Sequence, residues 1–161
     1  MSRLALALFL SAVGLGAARA APAGPVAEPL PADVCGALHK DFAAALRFPL
    51  KAGLGAPATV IDDTPAGTAC TFSGQATGLT HRFDDALKRL QKHVEGWEAI
   101  PDFAADGPGS TVEGYRRGDR RIVFALTVEP PAGACDNAVQ ASCKVPRTRW
   151  PWTFRAVAYR Q

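Results

Sequence analysis

The chain has 161 residues, of which 48% are hydrophobic and 20% are charged, and its formal net charge at pH 7 is +3. This length suits one domain. The near balance of charges excludes the strong positive field that is typical of nucleic-acid-binding proteins. The longest apolar run is shorter than the roughly twenty residues that a transmembrane helix needs.

Residues 1–20 have the anatomy of a secretory signal peptide. Arg3 precedes an uncharged apolar run from Leu4 to Ala18, and Ala18-Arg19-Ala20 forms a small-x-small cleavage pattern. We therefore predict a leader that is cleaved near Ala20, which places the mature protein in the periplasm of a bacterial envelope or outside the cell. Because the leader carries two arginines and no acid, the mature chain is close to neutral.

Residues 21–32 are rich in proline and alanine and contain little to bury. We predict an extended, mobile linker there, followed by one domain over residues 33–161. The linker sequence is APAGPVAEPLPA.

Two amphipathic helices are predicted in this domain, with one strand between them. The first follows Asp33 and has an apolar residue at every fourth position up to Leu46, and Pro49 lies beyond its end. The second follows Thr80 as N-cap and stops at Gly96. Its apolar face consists of Phe83, Ala86, Leu87, Leu90 and Val94.

The later part of the domain has the alternating pattern of β-strands. Strands are predicted at Thr68–Ser73, between the two helices, and at Trp152–Tyr159. Thr111–Arg116 and Arg121–Glu129 are predicted to form a hairpin that turns at Gly118-Asp119. Because successive late strands favour antiparallel pairing, the predicted fold class is α+β: an antiparallel sheet of about four to five strands with two helices on one face.

The four cysteines are Cys35, Cys70, Cys135 and Cys143. In an exported protein they are expected to form disulfides rather than to bind metal or attack a substrate. Of the three connectivities, close spacing favours Cys35–Cys70 and Cys135–Cys143. The chain-entropy relation assigns these loops about 4 and about 2.5 kcal/mol. The paired short spacings of a zinc site do not occur.

The sequence contains no recognisable catalytic motif. No serine lies in a G-x-S-x-G turn, and the predicted disulfides leave no thiolate. His81 and His93 lie more than about three turns apart on one helix, so we expect both to be surface residues. Asp62-Asp63 fits an ordinary turn. We therefore expect no cofactor and no metal, and the residues favour a binding role over an enzymatic one.

Two neighbouring features indicate binding. The ring closed by Cys135 and Cys143 would present Asp136 and Gln140 in a preorganised loop. After it come Arg147, Arg149 and Trp150, residue types that are enriched in binding hot spots. We expect Trp150 to be exposed, and we take these five residues as the candidate binding site.

A second basic cluster surrounds Asp119 in the predicted hairpin. Its members are Arg116, Arg117, Arg120 and Arg121. Either these arginines are ordinary solvated side chains, or they form a patch for an anionic partner such as a polysaccharide, a lipid head group or an acidic protein.

The sequence therefore predicts a secreted or periplasmic, non-catalytic binding protein that is inhibitor-like, immunity-like or an accessory of an envelope assembly. Its expected partner is an envelope protein or an anionic glycan, and not a nucleic acid. The alternative is a small periplasmic hydrolase whose catalytic residues come together only in the folded chain.

Overall fold

A computed structural model describes residues 25–60, 65–107, 109–135 and 143–161. The predicted leader, the Asp62-Asp63 pair and the candidate binding residues Asp136 and Gln140 lie outside the described residues. Within the described ranges the elements are β1 (Glu28–Pro29), α1 (Ala32–Leu46), β2 (Lys51–Gly55), β3 (Ala69–Ala76), α2 (Phe83–Lys92), β4 (Glu98–Ala99), β5 (Ala105–Gly107), β6 (Ser110–Arg117), β7 (Arg120–Val128) and β8 (Trp152–Arg160).

One antiparallel sheet organises the described part of the chain. Its strand order is β2-β3-β8-β7-β6-β4, with β1 paired to β8 and β5 paired to β6. The last strand lies in the middle, since Ala156 of β8 pairs with both Phe72 of β3 and Phe124 of β7. The predicted α+β class is confirmed. The described strands number eight rather than four to five, because the extra strands are too short to show an alternating pattern.

Both helices pack against one face of the sheet. The Phe42 ring of α1 lies 5.6 Å from the Phe72 and Phe154 rings, in edge-on contact with each. Leu90 of α2 belongs to the same buried cluster. Apolar burial on this face is the main source of stability expected for such a layered fold.

The predicted linker 21–32 is corrected by the structure in its described part. Ala27 and Leu30 are only 2% and 4% exposed, and Pro29 pairs with Tyr159 at the sheet. Ala27 packs with Tyr159 and Val157 on the face opposite the helices. Proline is tolerated on a short edge strand because that position needs no amide donor. The fold therefore begins before Asp33.

Both predicted disulfides are confirmed. Cys35–Cys70 joins α1 to β3 with a Cα–Cα distance of 6.0 Å, and Cys135–Cys143 closes the short ring. The first bond ties a helix to the sheet across the buried cluster, so it connects the two layers directly.

Candidate functional site

A cleft of about 360 Å³ opens between the start of α2 and the segment that leads into β8. Residues 79–84 form one wall of the cleft. The other wall is formed by Arg147, Thr148, Trp150 and Trp152. Pro146 and Pro151 flank a 3₁₀ turn at Arg147–Arg149. Because each proline restricts the backbone, this turn holds the second wall in place at the entrance to the strand.

Aromatic rings form the apolar part of the cleft. Trp152, the first residue of β8, is 3% exposed. Its ring lies 4.9 Å from the His81 ring and 6.3 Å from the Phe83 ring, measured between centroids. Trp152 is held by the sheet and is almost fully buried, so the accessible aromatic surface of the cleft comes mainly from the half-buried Phe83 of α2. Aromatic side chains of this kind line many small-molecule sites.

The prediction that Trp150 is exposed is wrong. Its side chain is 3% exposed, and its indole nitrogen donates a hydrogen bond of 3.0 Å to the Val145 carbonyl. The Arg147 guanidinium carbon lies 5.5 Å from the centre of the Trp150 ring, within cation–π range. A buried tryptophan needs a partner for its indole N–H, and here the chain five residues back supplies it.

The charged residues of the cleft lie at its rim. Arg82 and Arg147 are exposed there, together with the acid Asp84. The Arg82 guanidinium lies 3.4 Å from the Asp84 carboxylate, and an exposed pair of this kind is weak. Arg149 is also exposed, but it is not one of the described residues that line the cleft. The structure thus brings Arg147 and Trp150 to this site and leaves Arg149 outside it.

His81 is the titratable side chain that packs on the aromatic surface. Burial lowers the pKa of its imidazole below the ordinary value, and the nearby charges of Arg89 and Arg47 lower it further. Because the ordinary value of 6.5 is already below 7, the neutral form of the ring predominates at pH 7. Its Nε2 atom is buried and has no hydrogen-bond partner within the described ranges.

The described histidines do not form a catalytic pair with an acid or a serine. His39 Nε2 lies 2.8 Å from the Leu50 carbonyl oxygen. His93 Nδ1 lies 3.8 Å from the nearest Asp41 carboxylate oxygen, which is beyond hydrogen-bond distance. Among the residues that the structure describes, no three His, Cys, Asp or Glu side chains are grouped to hold a metal ion.

The sequence interpretation did not identify His81, Arg82 and Phe83 as site residues. It treated His81 as a surface residue and the others as the start of a helix. One local signal was present: the cationic side chain of Arg82 directly precedes a helix N-terminus, where positive charge is unfavourable. That conflict with local helix electrostatics is a mark of a position selected for something other than helix stability.

Comparison with protein-family models, curated proteins and solved structures finds no match to this chain. Within the part of the chain that the structure describes, no helix is long and apolar enough to cross a membrane.

Proposed function

We propose that this protein is a non-catalytic binding protein of the periplasm or the extracellular space, and that its cleft recognises an anionic glycan. The proposal depends mainly on the half-buried Phe83 ring, which packs near Trp152, beside the exposed Arg82 and Arg147. An aromatic surface suits the apolar face of a sugar ring, and guanidinium groups bind carboxylates or sulfates through paired hydrogen bonds.

The size of the cleft favours a saccharide unit over a protein partner. Its volume of about 360 Å³ lies within the range of roughly 300–1,000 Å³ found for small-molecule pockets. Protein interfaces instead bury broad surfaces. An inhibitor-like or immunity-like role therefore receives less support from this site than glycan binding does.

The expected periplasmic or extracellular location is supported by the leader sequence and the disulfides. Residues 1–20 fit a cleavable leader. The Cys35–Cys70 and Cys135–Cys143 bonds are characteristic of oxidising compartments. A protein in either exported location would meet anionic envelope or extracellular polysaccharides directly.

The experiment is a calorimetric titration of the mature protein with a galacturonic acid tetrasaccharide, with the neutral maltotetraose as reference. We expect the acidic sugar to bind and the neutral sugar to bind far more weakly. Arg147→Gln should weaken binding about tenfold, since a hydrogen bond to a charged group contributes about 1.5 kcal/mol. Raising the salt concentration to about 0.5 M should weaken it as well.

Arg149→Gln is the matched control, because it removes the same charge from a neighbouring exposed position outside the cleft. It should leave affinity within about twofold of the wild type. Equal affinity of the Arg147→Gln variant and the wild type would contradict the proposal. Release of new reducing ends from the acidic sugar would instead support the hydrolase alternative.

A further inference from the structure

Three arginines stand side by side at the hairpin end of the sheet. Arg117 of β6 pairs with Arg120 of β7, and Arg120 pairs in turn with Arg160 of β8. Neighbouring strands are about 4.8 Å apart, so this arginine row is about 10 Å long. On the far side of Arg160 the next paired residue is Glu28 of β1, which ends the row.

The three side chains of the arginine row lie on one face of the sheet, since directly paired residues share a face. The other two arginines of the hairpin point to the opposite face and are bound there. Arg116 forms an ion pair with Glu98, and Arg121 donates a 2.7 Å hydrogen bond to the Gly118 carbonyl. Folding thus separates the basic cluster of the sequence into two sets.

Like charges placed directly opposite each other destabilise a sheet, and the arginine row is only partly compensated. The Arg117 guanidinium carbon lies 4.8 Å from the centre of the Trp97 ring. Arg160 forms a 2.9 Å ion pair with Glu28, in which both side chains are well exposed. The guanidinium of Arg120, in the middle, has no ion pair or hydrogen bond within the described ranges. A partner with negative charge would remove this repulsion.

We propose that the arginine row binds neighbouring sulfate or phosphate esters of a polysaccharide chain that lies across the strands. Guanidinium groups match these oxyanions in geometry and charge, and a row about 10 Å long suits anionic groups in a line. This site is separate from the cleft. Arg160 and Trp152 are at opposite ends of β8, about 26 Å apart at 3.3 Å per residue.

A single glycan chain fits the surroundings better than an anionic membrane does. Glu28 ends the row, and Asp119 is exposed in the adjoining turn. A flat layer of negative head groups would press against these carboxylates as well as the arginines. A linear glycan chain, in contrast, can place its anionic groups on the arginine row without covering Glu28 and Asp119.

The test measures binding of a heparin-derived octasaccharide to the mature protein by calorimetry. Arg120→Gln should weaken binding about tenfold, and Arg117→Gln combined with Arg120→Gln about a hundredfold. Arg155→Gln is the matched control. It removes an exposed arginine from β8 on the opposite face, so its affinity should stay within about twofold of the wild type. The urea midpoint of Arg120→Gln should equal or exceed that of the wild type.

Four results would overturn the proposal. The first is unchanged affinity in the Arg120→Gln variant, and the second is an equal loss in Arg155→Gln, which would reflect net charge alone. The third is a loss in Arg147→Gln without one in Arg120→Gln, which would assign the octasaccharide to the cleft. The fourth is binding to phosphatidylglycerol vesicles that is tighter than octasaccharide binding and is lost in Arg120→Gln, which would assign the row to a membrane surface.

Discussion

His81 shows how the setting of one residue changes its chemistry. Its ring packs on Trp152, and burial followed by the charges of Arg89 and Arg47 lowers its pKa. A neutral imidazole at physiological pH is a hydrogen-bond donor and acceptor rather than a cation. In the proposed site, the two rim arginines therefore supply the positive charge, and the neutral His81 ring packs against Trp152 and adds no charge of its own.

The lowered pKa of His81 predicts how the stability of the protein depends on pH. As the pH falls through about 6.5, the unfolded chain takes up a proton on this residue while the folded protein resists it. The contribution of His81 to stability is therefore full above that pH and is lost as the pH falls toward the lowered pKa of the folded state.

The pH prediction is tested by comparing urea midpoints of the wild type and His81→Gln at about pH 7.5 and about pH 5. The variant should lose less stability between the two conditions. An NMR titration of the His81 ring should give a midpoint below the ordinary 6.5. Identical pH dependence in both proteins, or a ring midpoint at or above 6.5, would contradict the assignment.

At the scale of elements, the longer strands were predicted at nearly the correct positions, whereas the shorter strands were not predicted. The β6–β7 hairpin and β8 lie within two residues of their predicted positions, and Gly118 has a φ of +62° in the hairpin turn. The second helix begins at Phe83 rather than after Thr80. No strand can be predicted at the glycine-rich β2, because its five residues have little apolar content and show no alternation.

Two glycines in different elements predict opposite effects of the same substitution. Gly36 lies in α1 with no atom within 4 Å of an added Cβ, whereas a Cβ on Gly114 of β6 would lie 2.6 Å from Phe103 Cβ. Gly36→Ala should raise the free energy of unfolding by about 0.5–1 kcal/mol, through helix propensity. Gly114→Ala should lower it by about 1–3 kcal/mol, through overpacking.

Urea unfolding of the wild type and the two glycine variants measures both predicted changes in the free energy of unfolding. The two variants are directly comparable because each substitution adds only a methyl group. A gain in stability for Gly114→Ala would mean that Phe103 does not pack closely on β6. A loss for Gly36→Ala would mean that this face of α1 is occupied in the folded protein.

At the scale of the whole molecule, the disulfides have different roles. Cys35–Cys70 closes the longer loop and joins helix to sheet, whereas Cys135–Cys143 closes a small ring. Replacing the first pair by alanine should cost about 4 kcal/mol of stability, and replacing the second about 2.5 kcal/mol.

The disulfide prediction is checked by urea unfolding of the two double variants without reducing agent. The variant that lacks Cys135–Cys143 should remain folded with an intact cleft, judged by binding of the acidic tetrasaccharide. A greater loss of stability from the small ring than from the Cys35–Cys70 pair would contradict the loop-length argument.

Local patterns along the chain were enough to establish the fold class, the helical stripes, the hairpin and both disulfide pairings. These features depend on the periodicity and spacing of residues that are close together in the sequence, so they can be predicted without knowing the tertiary structure. The cleft and the arginine row could not be predicted from such local patterns. Insertion of β8 between β3 and β7 places Trp152 beside His81 and Arg160 beside Arg120. Such contacts join residues far apart in sequence, and neither periodicity nor spacing records which distant strands will pair.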